Sequence, residues 1–346
     1  RAYGAEEMSE GGAALRGKNG IPAQQLGHMV QKLSEEPELG KITFLVSSKY
    51  DSAARSGPET HEAAPRIRHS CPGYRQNGEE RLRERPHVLD TLVAGAEITD
   101  LKLERAASAD TEVDVSAAES LLHALCFCYM STFAYHATLR NVELQELRAD
   151  ARTNVALAGR RKGFNTESIH LIIKCRANAS EEQVRELYEY SMLRSPTFGA
   201  MKFPVKIDTE SLTQAAPASL DASSMPPTGQ LSPTRAKSKR QSGKVRLLRD
   251  IAGEKATTES STAYARTIRA DADWLGGGSV RTTFQRVDGT VREMHADEPL
   301  AFLGNDSSPG AEHLLTSLGE SLISNALQQG ELQHVRIDNI TINFEG

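Results

Sequence analysis

Four cysteines, Cys71, Cys126, Cys128 and Cys175, carry the nucleophilic chemistry most open to this chain, and two of them share the apolar stretch "AAESLLHALCFCYMSTFAYH" from Ala117 to His136. A thiol attacks only as its thiolate, which asks for a nearby cation and some exposure. Cys128 follows Leu121 by seven residues and Leu125 by three, on their apolar stripe, a placement that by itself favours packing. Cys126 lies about 200° around a helix from Cys128, so the two cannot bridge while the helix holds, and Cys126 reads as core. The spacings hold no CxxC and no Cys/His ligand pattern, so they imply neither a disulfide framework nor a metal site, and no cofactor motif stands out. Cys175 within a strand and Cys71 before "PGY" have no motif around them, with Cys71 expected to be the more exposed. His123 and His136 read as amphipathic packing residues. Ser116 followed three residues later by Glu119 is a capping box. Glu119 would stand across the helix from Cys128 and roughly 13 Å away along the axis. Any carboxylate serving Cys128 must therefore come from another segment.

The elements that hold these residues divide at a linker. The chain has 346 residues, too many for most single cores, and two domains are expected. From about Thr213 to Gly243 it runs "TQAAPASLDASSMPPTGQLSPTRAKSKRQSG", too poor in large apolar residues to offset its ordering entropy. The expected organisation is an N-terminal tail at 1–20, a complete domain at 21–212, a disordered linker at 213–245 and a shorter domain at 246–346. Residues 52–85, with "RIRHSCPGY" and "EERLRERP", read as a long loop or insertion. With 41 basic and 46 acidic side chains the net charge is -5, which argues against a nucleic-acid or anionic-membrane binder. The longest apolar run is about half of a membrane span, so a soluble cytoplasmic protein is expected.

Across the linker the sequence repeats itself. "AESLLHALCFC", Ala118 to Cys128, aligns with "AEHLLTSLGES", Ala311 to Ser321, and "VELQELRADA" from Val142 echoes "GELQHVRIDN" from Gly330. Ahead of each helix, "FLVSSKYDSAARSG" and "IRADADWLGGGSVRTT" both read as a strand, a small-residue turn and a return strand carrying an Arg. The first copy continues with the strand "ESIHLIIKCRANA", a helix capped by Ser180 and Gln183, and a strand at Pro204 to Asp208; the second copy ends without these.

These motifs, in this order, resemble the OsmC/Ohr-like proteins, thiol enzymes that reduce organic hydroperoxides. The resemblance implies an α+β fold in which antiparallel sheets pack around long central helices and two copies interlock. Here tandem copies would form an internal pseudo-dimer, the second copy truncated, or pair with a second chain as an intertwined homodimer. It implies that Cys128 is the attacking cysteine, with Ser321 in its place in the second copy. The resolving cysteine of the family would stand at Ser195, and the activating carboxylate at Ala118, so three positions are degenerate. The Arg that lowers the thiol pKa maps onto Arg55, or onto Arg281 in the second copy. Two functions follow. In the first, Cys128 reduces an organic hydroperoxide and an external thiol reductant regenerates it. In the second, the losses at Ala118, Ser195 and Ser321 leave a binding or scaffolding protein with a small apolar ligand between its copies.

Overall fold

The computed structural model describes residues 18–51, 66–76, 78–92, 116–157, 164–202, 266–285, 289, 291–298, 309–332, 337 and 339–345. Arg55, the strand expected at Pro204 to Asp208 and the linker at 213–245 lie outside the described residues. In chain order the main elements are α1 (Ala23–Glu35), β1 (Ile42–Asp51), β2 (Arg66–Gln76), β3 (Glu79–Leu92), α2 (Ala117–Leu139), β4 (Leu144–Leu157) and β5 (Phe164–Ala177). They continue as α3 (Glu181–Arg194), α4 (Pro196–Lys202), β6 (Arg266–Gly276), β7 (Ser279–Gln285), β8 (Val291–Ala296), α5 (Gly310–Leu332) and β9 (Asn339–Glu345).

The strands form two antiparallel sheets, ordered β3-β2-β1-β9 and β5-β4-β6-β7-β8, and helices mix with them in an α+β architecture. Neither sheet is built from one continuous stretch. β4, which follows α2, pairs with β6 in the register Ala151 to Ala270, and β9, which follows α5, pairs with β1 in the register Tyr50 to Ile340. α2 packs on β4, β6 and β7, α5 packs on β1, β2 and β9, and the two helices pack on each other.

α2 is buried on every face, as its continuous apolar composition requires. Phe127, Tyr129, Met130 and Phe133 are all fully buried, each contributing about 1.5–3 kcal/mol through lost apolar surface. Its start is set by the expected capping box: Ser116 Oγ accepts from the Glu119 N–H at 3.3 Å, and Glu119 Oε2 accepts from the Ser116 N–H at 2.8 Å. Ser180 and Gln183 cap α3 in the same way. Asn19, inside the stretch read as tail, has φ 67° and donates to Thr138 Oγ1 and the Val142 carbonyl while accepting from the Leu144 N–H. It ties the chain start to the turn between α2 and β4.

The reading of 52–85 as a loop is corrected from Arg66 onward, where β2 and β3 form a hairpin turning at Gly78. The charged run of "EERLRERP" hid a strand at the end of its sheet, where Pro86 removes no obligatory ladder bond. Pro72 sits at the bulge between Cys71 and Gly73, and Gly73, with φ 151°, lies so close to the Arg81 carbonyl that a Cβ would collide with it. Cys71, expected to be exposed, is fully buried, because Ile67, His69 and Cys71 alternate toward α5.

Candidate functional site

Cys128 stands near the middle of α2 and is 9% exposed. Its Sγ accepts a hydrogen bond from Ser195 Oγ at 3.2 Å and one from the Thr197 N–H at 3.5 Å. Both donors come from the junction at which α3 ends and α4 begins. Ser195 is the last position before Pro196, whose fixed φ and missing N–H suit the first turn of a helix. Ser195 Oγ also accepts from the Phe198 N–H at 3.4 Å, which leaves its single hydroxyl hydrogen for the sulfur. The start of α5 closes the third side: a Cβ on Gly310 would come within 3.4 Å of Cys128 Cβ and 2.8 Å of Phe127 Cδ1. Only a residue without a side chain lets α5 approach α2 there.

Burial pushes the Cys128 thiol above its ordinary pKa, the Ser195 and Thr197 donors pull it back in part, and the charge of Glu298 adds to the rise. Cys126 is fully buried, and its thiol is pushed up to about 12 by the same burial. Among the described residues the partners of Cys128 Sγ are these two dipolar donors, and no guanidinium is one of them.

Arg281 projects from β7 on the face opposite Val280, Thr282 and Phe284. Those three are buried toward α2, where Thr282 Oγ1 bonds His123 Nδ1 at 2.7 Å. The Arg281 Nη2 instead meets Asp273 Oδ2 at 3.3 Å beside an open polar groove shared with Arg148 and Glu146. Ser321 is exposed on α5, and Ala118 packs against the core in the first turn of α2. Cys128 and Ser195 are thus brought together, while Arg281, Ser321 and Ala118 each stand elsewhere.

Spacing did not reveal Glu298, which follows β8. Its Oε1 accepts from Ser131 Oγ at 2.7 Å, and Ser131 lies one helical turn beyond Cys128. Burial pushes the Glu298 carboxyl up to about 7. A guanidinium beside a thiol does occur, but at Cys71: Arg83 Nη1 donates to the Cys71 carbonyl at 3.1 Å and meets Glu312 Oε1 at 2.7 Å, with side chains 5% and 0% exposed. There burial and the Glu312 charge raise the thiol pKa, so the guanidinium serves the carboxylate more than the sulfur. No three His, Cys, Asp or Glu side chains converge as metal ligands among the described residues, and no described helix is long and apolar enough to cross a membrane.

Residues 109–210 match the family model described as OsmC-like protein. The match spans α2, β4, β5, α3 and α4, and so contains both Cys128 and Ser195. No curated protein matches the chain.

Proposed function

We propose that this chain is an OsmC-like thiol peroxidase in which Cys128 reduces an organic hydroperoxide and an external thiol restores it. The observation that carries the reading is the pair of donors, Ser195 Oγ and the Thr197 N–H, aimed at a sulfur inside the segment that matches the family. Such donors favour the anionic forms of sulfur over the neutral thiol. Cys128 as thiolate attacks the terminal peroxide oxygen, an S–O bond forms as the O–O bond breaks, and the alkoxide leaves as the alcohol. With Ser195 at the resolving position, the sulfenic acid is reduced by two external thiols. One forms a mixed disulfide with loss of water, and the second releases the Cys128 thiol. Arg55 is the proposed cation, with Arg281 its counterpart in the second copy. Ala118 and Ser321 complete the set of degenerate positions.

The organisation proposed with this chemistry is a complete copy at 21–212 and a truncated one at 246–346, joined by 213–245 and interlocked within one chain. It is supported by the exchanged strands, β4 beside β6 and β9 beside β1. The alternative, pairing between two chains as a homodimer, would place those exchanges in trans. All four cysteines are free, which supports a reducing, cytoplasmic setting.

A second reading is favoured by one observation: among the described residues the contacts of Cys128 Sγ include no charged donor, and the thiol is 9% exposed. On that reading the chain is a binding or scaffolding protein that keeps the fold without the chemistry. Cumene hydroperoxide consumption in the presence of a dithiol separates the two. The peroxidase reading predicts turnover that Cys128→Ser abolishes. A folded chain that consumes no hydroperoxide with any thiol supplied leaves the scaffolding reading standing.

A further inference from the structure

We propose that Glu298 is the proton partner of Cys128, so that a thiol on α2 and a carboxyl from the end of β8 share one acidic proton and the thiolate forms when the carboxylate takes it. The two residues are 170 positions apart in the chain, and Ser131 brings them to the same turn. Ser131 follows Cys128 by three residues on the same face of α2, its Oγ lying 2.7 Å from Glu298 Oε1 and 3.3 Å from the Cys128 carbonyl. The backbone holds the carboxyl from behind. The Glu298 N–H donates to Asp297 Oδ1 at 2.8 Å, and Asp297 Oδ2 accepts from Ser279 Oγ at 2.9 Å. Gly278 makes room for it, since a Cβ there would stand 3.0 Å from Glu298 Cγ.

Among the described residues, the ionisable groups acting on this carboxyl, or feeling it, are Asp297 on its own segment and Tyr135 and Cys128 on α2, and no guanidinium, ammonium or imidazole pairs with it. Burial and the Asp297 charge hold it near neutrality, where a group gives and takes protons readily at cellular pH. Two negative charges at one helical turn disfavour each other, so carboxylate and thiolate exclude one another and titrate as a pair. In the peroxide reaction the thiol proton moves to the Glu298 carboxylate. The thiolate then attacks the terminal oxygen of the hydroperoxide, sulfur loses two electrons to the breaking O–O bond, and the departing alkoxide leaves with the proton from Glu298. The products are sulfenic acid, alcohol and a carboxylate ready for the next cycle. This step rests on the peroxidase reading, but the pair itself can be measured without peroxide.

The test is the thiolate ultraviolet absorbance of the full chain against pH, with the same curve for Cys128→Ser subtracted. Glu298→Gln keeps an acceptor for Ser131 and removes the charge. The midpoint for Cys128 is expected to fall by about half a pH unit or more in Glu298→Gln. An unchanged midpoint, or no Cys128 thiolate at any pH at which the chain stays folded, overturns the proposal. Should Glu298→Gln fail to fold, the carboxyl resonance of Glu298 in the unaltered chain decides. It must titrate near pH 7 and inflect again at the thiolate midpoint, the second inflection vanishing in Cys128→Ser. A single step in the ordinary carboxylate range overturns the pair. Absence of hydroperoxide turnover with these titrations intact would remove the peroxidase reading and leave the pair standing.

Discussion

At the scale of single residues, the contact between Ser195 and Cys128 organises the site. An oxygen 3.2 Å from Sγ stands where a sulfur could close to bonding distance after a small side-chain rotation. Ser195→Cys is therefore expected to convert the site into a two-cysteine one: hydroperoxide should produce an internal disulfide with Cys128, read as a loss of about 2 Da by intact mass and reversed by reductant. A stable sulfenic acid in that variant would mean the two side chains do not meet. Ser195→Ala removes a donor worth about 1.5–3 kcal/mol to the anionic sulfur, so alkylation of Cys128 at fixed pH should slow by roughly tenfold or more. An unaltered rate would deny the hydroxyl any role in thiol ionisation. Residues whose roles depend on near neighbours were legible in the sequence: the Ser116 and Glu119 cap, and Cys126 as core. Ser195 was reachable only through a resemblance, because it lies 67 residues from Cys128. Glu298 had no signal at all, since neither its distance along the chain nor the "DEP" around it distinguishes a carboxyl that will meet Ser131 on α2.

At the scale of elements, the sequence was clearest where one period dominates and least clear where charge alternates with apolar residues. α2 announces itself by a continuous apolar run and β7 by its 2.0 period, whereas β2 sets His69 and Cys71 inward and β3 carries a run of charges, which reads as loop. The reward for that unusual inward face is the Arg83 and Glu312 pair, which joins β3 to α5 with both side chains out of solvent. Breaking one side should strand the other charge. Arg83→Met is expected to cost about 3–5 kcal/mol in urea unfolding, and adding Glu312→Leu should recover most of it. Equal losses in the single and double variants would show that packing rather than charge governs this joint.

At the scale of the whole molecule, the pairings of β4 with β6 and of β9 with β1 make the sheets interdependent. Each sheet takes its strands from both sides of residues 203–265, so neither side can unfold without opening the other's hydrogen-bond ladder. One cooperative urea transition is expected, the same by far-ultraviolet and near-ultraviolet signals; two resolved transitions would contradict the coupling. The sequence anticipated the long helices and the β6–β7 hairpin, but not the β2–β3 hairpin nor which strand lies beside which, because register between distant strands is set by burial across the whole assembly. Acid should also loosen it. His136 on α2 is held down to about 4 by burial and then by Arg140 and Arg194, against about 6.5 in an unfolded chain. A base that binds its proton less well when folded contributes stability that is whole above about 6.5 and lost as pH falls toward about 4. His136→Gln should flatten the fall in urea midpoint across that window. A slope equal to that of the unaltered chain would assign acid sensitivity to other groups, such as the deeply buried His123, whose ring meets that of His313 edge-on at 4.5 Å.

All of these expectations converge on which sulfur reacts. The most direct measurement is to treat the folded chain with an organic hydroperoxide in the presence of a sulfenic-acid trap and to map the adduct by peptide mass. The account predicts an adduct on Cys128, with Cys71, Cys126 and Cys175 unmodified. An adduct on Cys71 or Cys175 with Cys128 intact, or no adduct at all, would contradict it.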